Sequence, residues 1–113
     1  MPQRLMVWRL VLDTLRNSHR VYFPGRRFGS DLQLLMILGA VVASRTEGKP
    51  TTAAKLACYL DMAPETMRRN LDTLVKLGLL ERNENIYVPS PRVASSDHII
   101  SAVAWIKRTA GAL

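Results

Sequence analysis

Two adjacent arginines, Arg68 and Arg69, lie in a stretch whose apolar residues Met67, Leu71 and Leu74 recur at the 3.6-residue period of a helix. With those three turned inward, a helical wheel sends Glu65, Arg69, Asp72 and Lys76 directly outward and puts Thr66, Arg68 and Thr73 on the flanks. A guanidinium in such a position can make paired hydrogen bonds to O6 and N7 of guanine, or grip phosphate. Thr66 can meet a phosphate or a thymine methyl, and Glu65 can accept from N4 of cytosine. The plainer reading of the same spacing is a solvated face on which Glu65 pairs with Arg68 or Arg69 and Asp72 with Lys76.

The elements that must position these side chains are written in residues Thr51 to Val88, TTAAKLACYLDMAPETMRRNLDTLVKLGLLERNENIYV. Leu56, Ala57 and Leu60 mark the buried face of a preceding short helix, which Thr52 is placed to cap. Asp61-Met62-Ala63 leaves room only for a sharp turn, in which Met62 can plug the angle between the helices while small Ala57 lets their backbones approach. Pro64 suits the first turn of the second helix, where its missing N–H costs nothing. Gly78 suits the left-handed residue that closes it. A hairpin is predicted next, Leu79 to Arg82 and Ile86 to Val88, with Asn83-Glu84-Asn85 at the tip. A very short strand around Lys49 to Thr51 is placed to join it.

The pattern KLACYLDMAPETMRRNLDTLVKLGLLER resembles the winged helix-turn-helix of bacterial transcription regulators, the broad group of GntR-like, DeoR-like and MarR-like families, with no single family assigned. The match covers roughly a third of the chain. It implies a mainly α fold with a small β-hairpin wing, flanked here by extra N- and C-terminal helices. It also implies a sequence-specific, double-stranded DNA-binding transcription regulator with a recognition helix, residues 64–77, in the major groove. Such helices enter the groove by their N-terminal end. In these families the wing touches phosphate or the neighbouring minor groove, which would give Arg82, Asn83 and Asn85 that role; a merely polar hairpin tip is the rival reading. The first helix of the motif normally crosses the backbone, and Thr51, Thr52 and Lys55 open it here with N–H groups that suit phosphate. Some winged helices bind proteins, and others serve plasmid or mobile-element replication, so an adaptor and a replication protein stand as alternatives.

A formal charge of +7 and a pI near 10.3 favour polyanionic partners such as nucleic acid. The charge is unevenly spread. Residues 1–30 hold six arginines against one acid, whereas 49–90 carry six cations against five acids, so the expected reading head is nearly neutral. Part of the upstream excess is Arg26 and Arg27, set between Phe23 and Phe28 in the Pro- and Gly-broken stretch 21–29. They are read either as a basic arm reaching a minor groove, or as solvated arginines beside phenylalanines docked on the core.

The 113 residues suit a single winged helix-turn-helix domain: an N-terminal helix, about Gln3 to Asn17, and basic arm over 1–29, a core over 30–90, and a C-terminal helix within 91–113. Ser30 with Gln33 forms a capping box for a second helix, and Leu32 to Ala43 reads as its buried core, too short at a dozen residues to span a bilayer. The start, MPQRLMVWRLVLDTLRNSHR, is interrupted by Arg9 and Asp13 and lacks an export-type cleavage site, so a cytoplasmic protein with no membrane partner is expected. Leu5, Trp8, Leu12 and Leu15 of the first helix, with Ile99, Val103, Trp105 and Ile106 of the last, form the expected homodimer interface, or else fold back on the same core.

Cys58, the single cysteine, near Lys55, is read as a core residue rather than a redox switch, and His19 and His98 as surface or capping residues rather than ligands. No metal-ligand spacing, phosphate loop or triad grouping is present, so neither catalysis nor a cofactor is expected. No feature of the sequence assigns a small-molecule effector.

Overall fold

The computed structural model describes residues 3–49 and 51–94, which fall into two compact units, one holding 3–31 and the other 32–94. The described chain is mainly helical, with one small three-stranded antiparallel sheet.

In the first unit, helix α1 spans Gln3–Tyr22, five residues beyond the end predicted from the apolar spacing. Nothing between Asn17 and Tyr22 breaks a helix; Pro24 does, by disfavouring helical backbone at Phe23, and Gly25 then takes φ +78 to turn the chain. A short 3-10 helix, Phe28–Asp31, follows. Trp8 and Leu12, expected at a homodimer interface or else folded back on the core, are 67% and 51% exposed, and Leu15 is half-buried.

The unit's fixed point is polar. Asp31 is buried and receives Arg26 through Nη2 to Oδ1 at 2.8 Å and Nε to Oδ2 at 3.0 Å, while His19 Nε2 lies 2.9 Å from Oδ2. Phe23 stacks on the His19 ring and Phe28 meets it edge-on, each at 5.5 Å between centroids. His19 is therefore a buried residue and not the surface or capping residue expected. His98 lies outside the described residues, as does the expected C-terminal helix with Ile99, Val103, Trp105 and Ile106.

In the second unit, helix α2 spans Leu32–Thr46, so Ser30, expected to begin it, sits instead in the 3-10 turn. Gln33 turns its Oε1 toward Asn70 Nδ2, at 3.3 Å. By length and composition alone Phe28–Thr46 would be enough to cross a membrane, the one such stretch among the described residues. Within the second unit α2 is the central helix: Leu34, Leu35, Ile37, Leu38, Val41 and Val42 are buried where it packs on α3, α4 and the sheet.

Strand β1, Thr51–Thr52, leads into α3, Ala53–Leu60, and a three-residue turn separates this from α4, Pro64–Lys76. Strands β2, Leu80–Asn83, and β3, Ile86–Pro89, form the hairpin, and a single helical turn, α5, Pro91–Ala94, ends the described chain. The sheet order is β1-β3-β2. The short strand predicted over Lys49 to Thr51 is found at Thr51–Thr52, with Thr51 opposite Tyr87. The hairpin is one residue later at its start: Leu79 closes the helix rather than opening the strand.

Met67, Leu71, Leu74 and Leu79 are fully buried, so the predicted inward face of α4 is the observed one; on α3 Leu56 and Ala57 are buried as predicted, but Leu60 is half-buried. Thr52 caps α3 by accepting from Lys55 N–H at 3.2 Å, and Pro64 occupies the first turn of α4. Met62, expected to plug the interhelical angle, is half-buried.

Candidate functional site

Helix α4 owes its free side to its sequence. Leucines and Met67 at the helical period hold one stripe against α2, α3 and β2, and every directly outward position is charged. Glu65, Arg68, Arg69, Asp72 and Lys76 are all exposed, with Thr66 and Thr73 half-buried on the flanks. Arg69 and Lys76 are both exposed, and neither pairs with an acid among the described residues.

The remaining polar groups of α4 are partly engaged. Arg68 Nη1 lies 3.6 Å from Glu65 Oε1, one turn away, with both side chains largely in solvent; this is one of the solvated pairs that the spacing allowed. The other, Asp72 with Lys76, does not form. Thr73 donates its hydroxyl to the Arg69 carbonyl at 3.0 Å, which ties that flank to the helix's own backbone. Arg69, Asp72 and Lys76 thus face outward, and Thr66 stands on the flank, with no ion pair or side-chain hydrogen bond among the described residues.

The turn before α4 is rigid for a local reason. Asp61 takes φ 53 and ψ 52, its N–H reaches the Ala57 and Cys58 carbonyls, and Met62 N–H bonds to Ala57 O at 2.9 Å. This is a left-handed helix closure with aspartate in the place glycine usually fills. Pro64 then fixes the exit direction. α3 therefore props α4 at a set angle, and its exposed side carries Lys55, Cys58 and Tyr59, the last 79% exposed. Cys58, expected in the core, is exposed because Leu56 and Ala57 already take the inward face.

Thr52, expected among the contact residues, has its hydroxyl oxygen in the α3 cap and is half-buried; Thr51 is buried in the sheet. At the hairpin, Asn83 and Asn85 are exposed at the tip. Arg82 is exposed but held: its Nε donates to the Glu84 carbonyl at 2.7 Å, and its guanidinium carbon stands 5.9 Å from the centroid of the Tyr87 ring, its cross-strand partner. The left-handed tip residue is Glu84, φ 57, not either asparagine.

Arg26 is not part of a free basic arm. Its two bonds to buried Asp31 fix the guanidinium, and that ion pair raises the Arg26 pKa and lowers that of Asp31. Arg27 alone of that pair is exposed and unengaged among the described residues. The same turn docks Phe23, which is 1% exposed, as the alternative reading of this stretch required.

Two cations passed over in the sequence now stand out. Arg45, in the last turn of α2, and Lys49, just beyond Gly48, rim a recess of about 150 Å³ whose wall is Ile86, Tyr87 and Val88 of β3. The spacing of two cations around a glycine was visible in the sequence, but only the pairing of β3 with β1 brings a strand beside them. No group of His, Cys, Asp and Glu able to hold a metal ion gathers among the described residues. Comparisons with protein-family models, with curated proteins and with solved structures find no match for this chain, so the arrangement of its own residues carries the reading.

Proposed function

We propose that the chain is a winged helix-turn-helix that binds double-stranded DNA in a sequence-specific manner and regulates transcription, with α4 in the major groove and the β2–β3 hairpin as the wing. The observation that carries this reading is the charged side of α4. Arg69 and Lys76 stand exposed, without an acid partner among the described residues, opposite the buried Met67, Leu71 and Leu74. A helix with that division, held by a shorter helix through a fixed turn and followed by an antiparallel hairpin, is built to be inserted by its polar face. Arg68, Arg69 and Thr66 are the base or phosphate contacts near its N-terminal end, Lys55 a backbone contact from α3, and Arg82, Asn83 and Asn85 the contacts of the wing.

A homodimer belongs to the same proposal, since two heads double the contacts and match a two-fold site. Its support is the exposure of Met6, Trp8, Val11 and Leu12 on α1. A cytoplasmic setting and the one-domain organisation of residues 1–113 go with it.

Titration of fluorescent random duplex at low salt tests the reading. The parent binds, and the Arg68→Ala/Arg69→Ala variant does not, while circular dichroism shows both folded. A parent protein that ignores duplex in dilute buffer overturns the proposal. The second reading, an adaptor for a protein partner, is favoured by one specific observation, the Glu65–Arg68 pair that leaves the α4 surface close to neutral. In that case the double variant retains its partner, and duplex binding is absent from the start.

A further inference from the structure

We propose that Arg45 and Lys49 form a seat for a DNA backbone phosphate beside the base of the hairpin, gripping the duplex outside the groove that α4 enters. The inference rests on the duplex-binding reading above and adds to it where the polyanion is held.

The first reason is charge. On α4 the exposed cations Arg68, Arg69 and Lys76 face Glu65 and Asp72, and Arg68 is already beside Glu65 at 3.6 Å. Affinity for duplex comes chiefly from neutralised phosphates, each releasing condensed counterions. One net charge on the inserted helix supplies little of this, so cations outside α4 have a part in holding phosphate, as Lys55 and Arg82 do in the reading above.

The second reason is geometry. Gly48, at φ +72, closes α2 by donating to Arg45 O at 3.0 Å, and Lys49 N–H bonds to Ser44 O at 2.9 Å. These two bonds fix Lys49's backbone one turn beyond Arg45, and both residues, though exposed, line one recess. The recess, about 150 Å³, is walled by Ile86, Tyr87 and Val88, and no acidic side chain lines it among the described residues. Glu47, between the two cations in sequence, is exposed and is not part of the lining. Neither Arg45 nor Lys49 has an acidic partner among the described residues.

Third, Arg82 leans over the Tyr87 ring, 5.9 Å from its centroid, which adds a further cation along β3. Arg45 and Lys49 line the recess against β3, whereas Arg82 lies on β2 and outside that lining. A bland alternative accounts for Arg45 alone: a cation in the last turn of a helix complements its dipole. It gives no reason for Lys49 to share the rim.

The test is a salt series. Duplex affinity is measured at several chloride concentrations for the parent and for the Arg45→Gln/Lys49→Gln variant, on a selected site and on random sequence, with melts to verify folding. Each lost phosphate contact lowers the slope of log affinity against log salt by roughly 0.9. The expected result is a slope shallower by roughly 0.9, for the one phosphate seated, and an affinity roughly tenfold lower near 0.1 M salt, equal on both DNAs. The charge-keeping variant Arg45→Lys/Lys49→Arg retains the parent slope. A double variant with an unchanged slope, or one that loses affinity only for the selected site, overturns the seat while leaving duplex binding by α4 intact. A parent that binds no duplex at any salt takes down both readings, and so separates the two failures.

Discussion

Asp61 and Gly78 hold the same left-handed backbone conformation, at φ 53 and φ 76, and each closes one of the two helices that meet at the charged face. The bonding is the same at both. Met62 N–H returns to Ala57 O, and Leu79 N–H to Leu74 O, each spanning five residues, with the inner bond from Asp61 to Cys58 O and from Gly78 to Val75 O. Gly48 repeats the device at the end of α2. Helices α2, α3 and α4 are thus each stopped at a fixed residue, which sets where α4 begins and where the hairpin leaves it.

Gly78→Ala is expected to lower stability by about 1 kcal/mol, since an L residue in the left-handed region is strained by roughly 1–2 kcal/mol. A Cβ added there meets nothing within 4 Å, so the loss is one of backbone conformation and not of packing. Asp61→Gly is expected to change stability by less than ~0.5 kcal/mol, because relief of strain offsets the added freedom of the unfolded chain. Urea unfolding of the two variants measures both. A Gly78→Ala protein as stable as the parent contradicts this account of the closure.

The N-terminus of α4 is less well made. Its cap, Ala63, has the extended backbone a capping residue needs, φ −61 and ψ 140, but no side chain to accept from the free N–H groups. Ala63→Ser should add about 0.5–1 kcal/mol, by offering its hydroxyl to the N–H of Glu65 or Thr66. Thermal melts suffice as the measurement; an unchanged melting temperature argues that solvent already satisfies those groups equally well.

Acid should loosen the first unit before neutral pH does. The bidentate bond from Arg26, more than any other influence, holds the Asp31 carboxyl below the ordinary carboxylate range, although burial pushes the other way. With the folded value depressed, the contribution is fully present above the unfolded value of about 3.9 and is lost as pH falls through the folded one. Asp31→Asn removes this slope. It also strips Arg26 and His19 of a charged acceptor, for an expected cost of about 2–3 kcal/mol at neutral pH. Melting temperatures at pH 7 and pH 3 for parent and variant give the comparison. A variant that loses as much on acidification as the parent assigns the acid sensitivity to other carboxylates.

Local rules made the second unit largely legible. Thr52 as cap, Pro64 in the first turn, Gly78 as closure and the inward face of α4 each follow from neighbours within a turn or two, and the structure has them so. What sequence spacing did not reveal depends on contacts across the chain. His19 reads as a lone histidine until the turn at Pro24 and Gly25 folds Asp31 back over twelve residues to meet it. Arg26 reads as a free cation because its partner, five residues on, lies past a break in periodicity. Arg45 and Lys49 read as loop charges until β3 arrives beside them. Even the displaced boundary of β2 has such a cause: Leu79 is claimed by the closure of α4, and the strand begins only after it.

Glu65 is the residue on which the two readings of α4 diverge most sharply. Its ion pair with Arg68 is solvent-exposed on both sides, so Glu65→Gln should alter stability by no more than about 0.5 kcal/mol. Its effect on DNA should be larger and diagnostic. Removing a carboxylate that faces phosphates, and freeing Arg68, is expected to raise affinity for random duplex roughly threefold to tenfold at low salt. If Glu65 also accepts from a cytosine amino group, affinity for a selected site rises less than this or falls, because a base contact worth about 1–3 kcal/mol is weakened. Anisotropy titrations on the two DNAs separate these contributions. Random-duplex affinity that does not change on losing this charge means the N-terminal turn of α4 stays away from the phosphate backbone, and the orientation proposed for the helix fails with it.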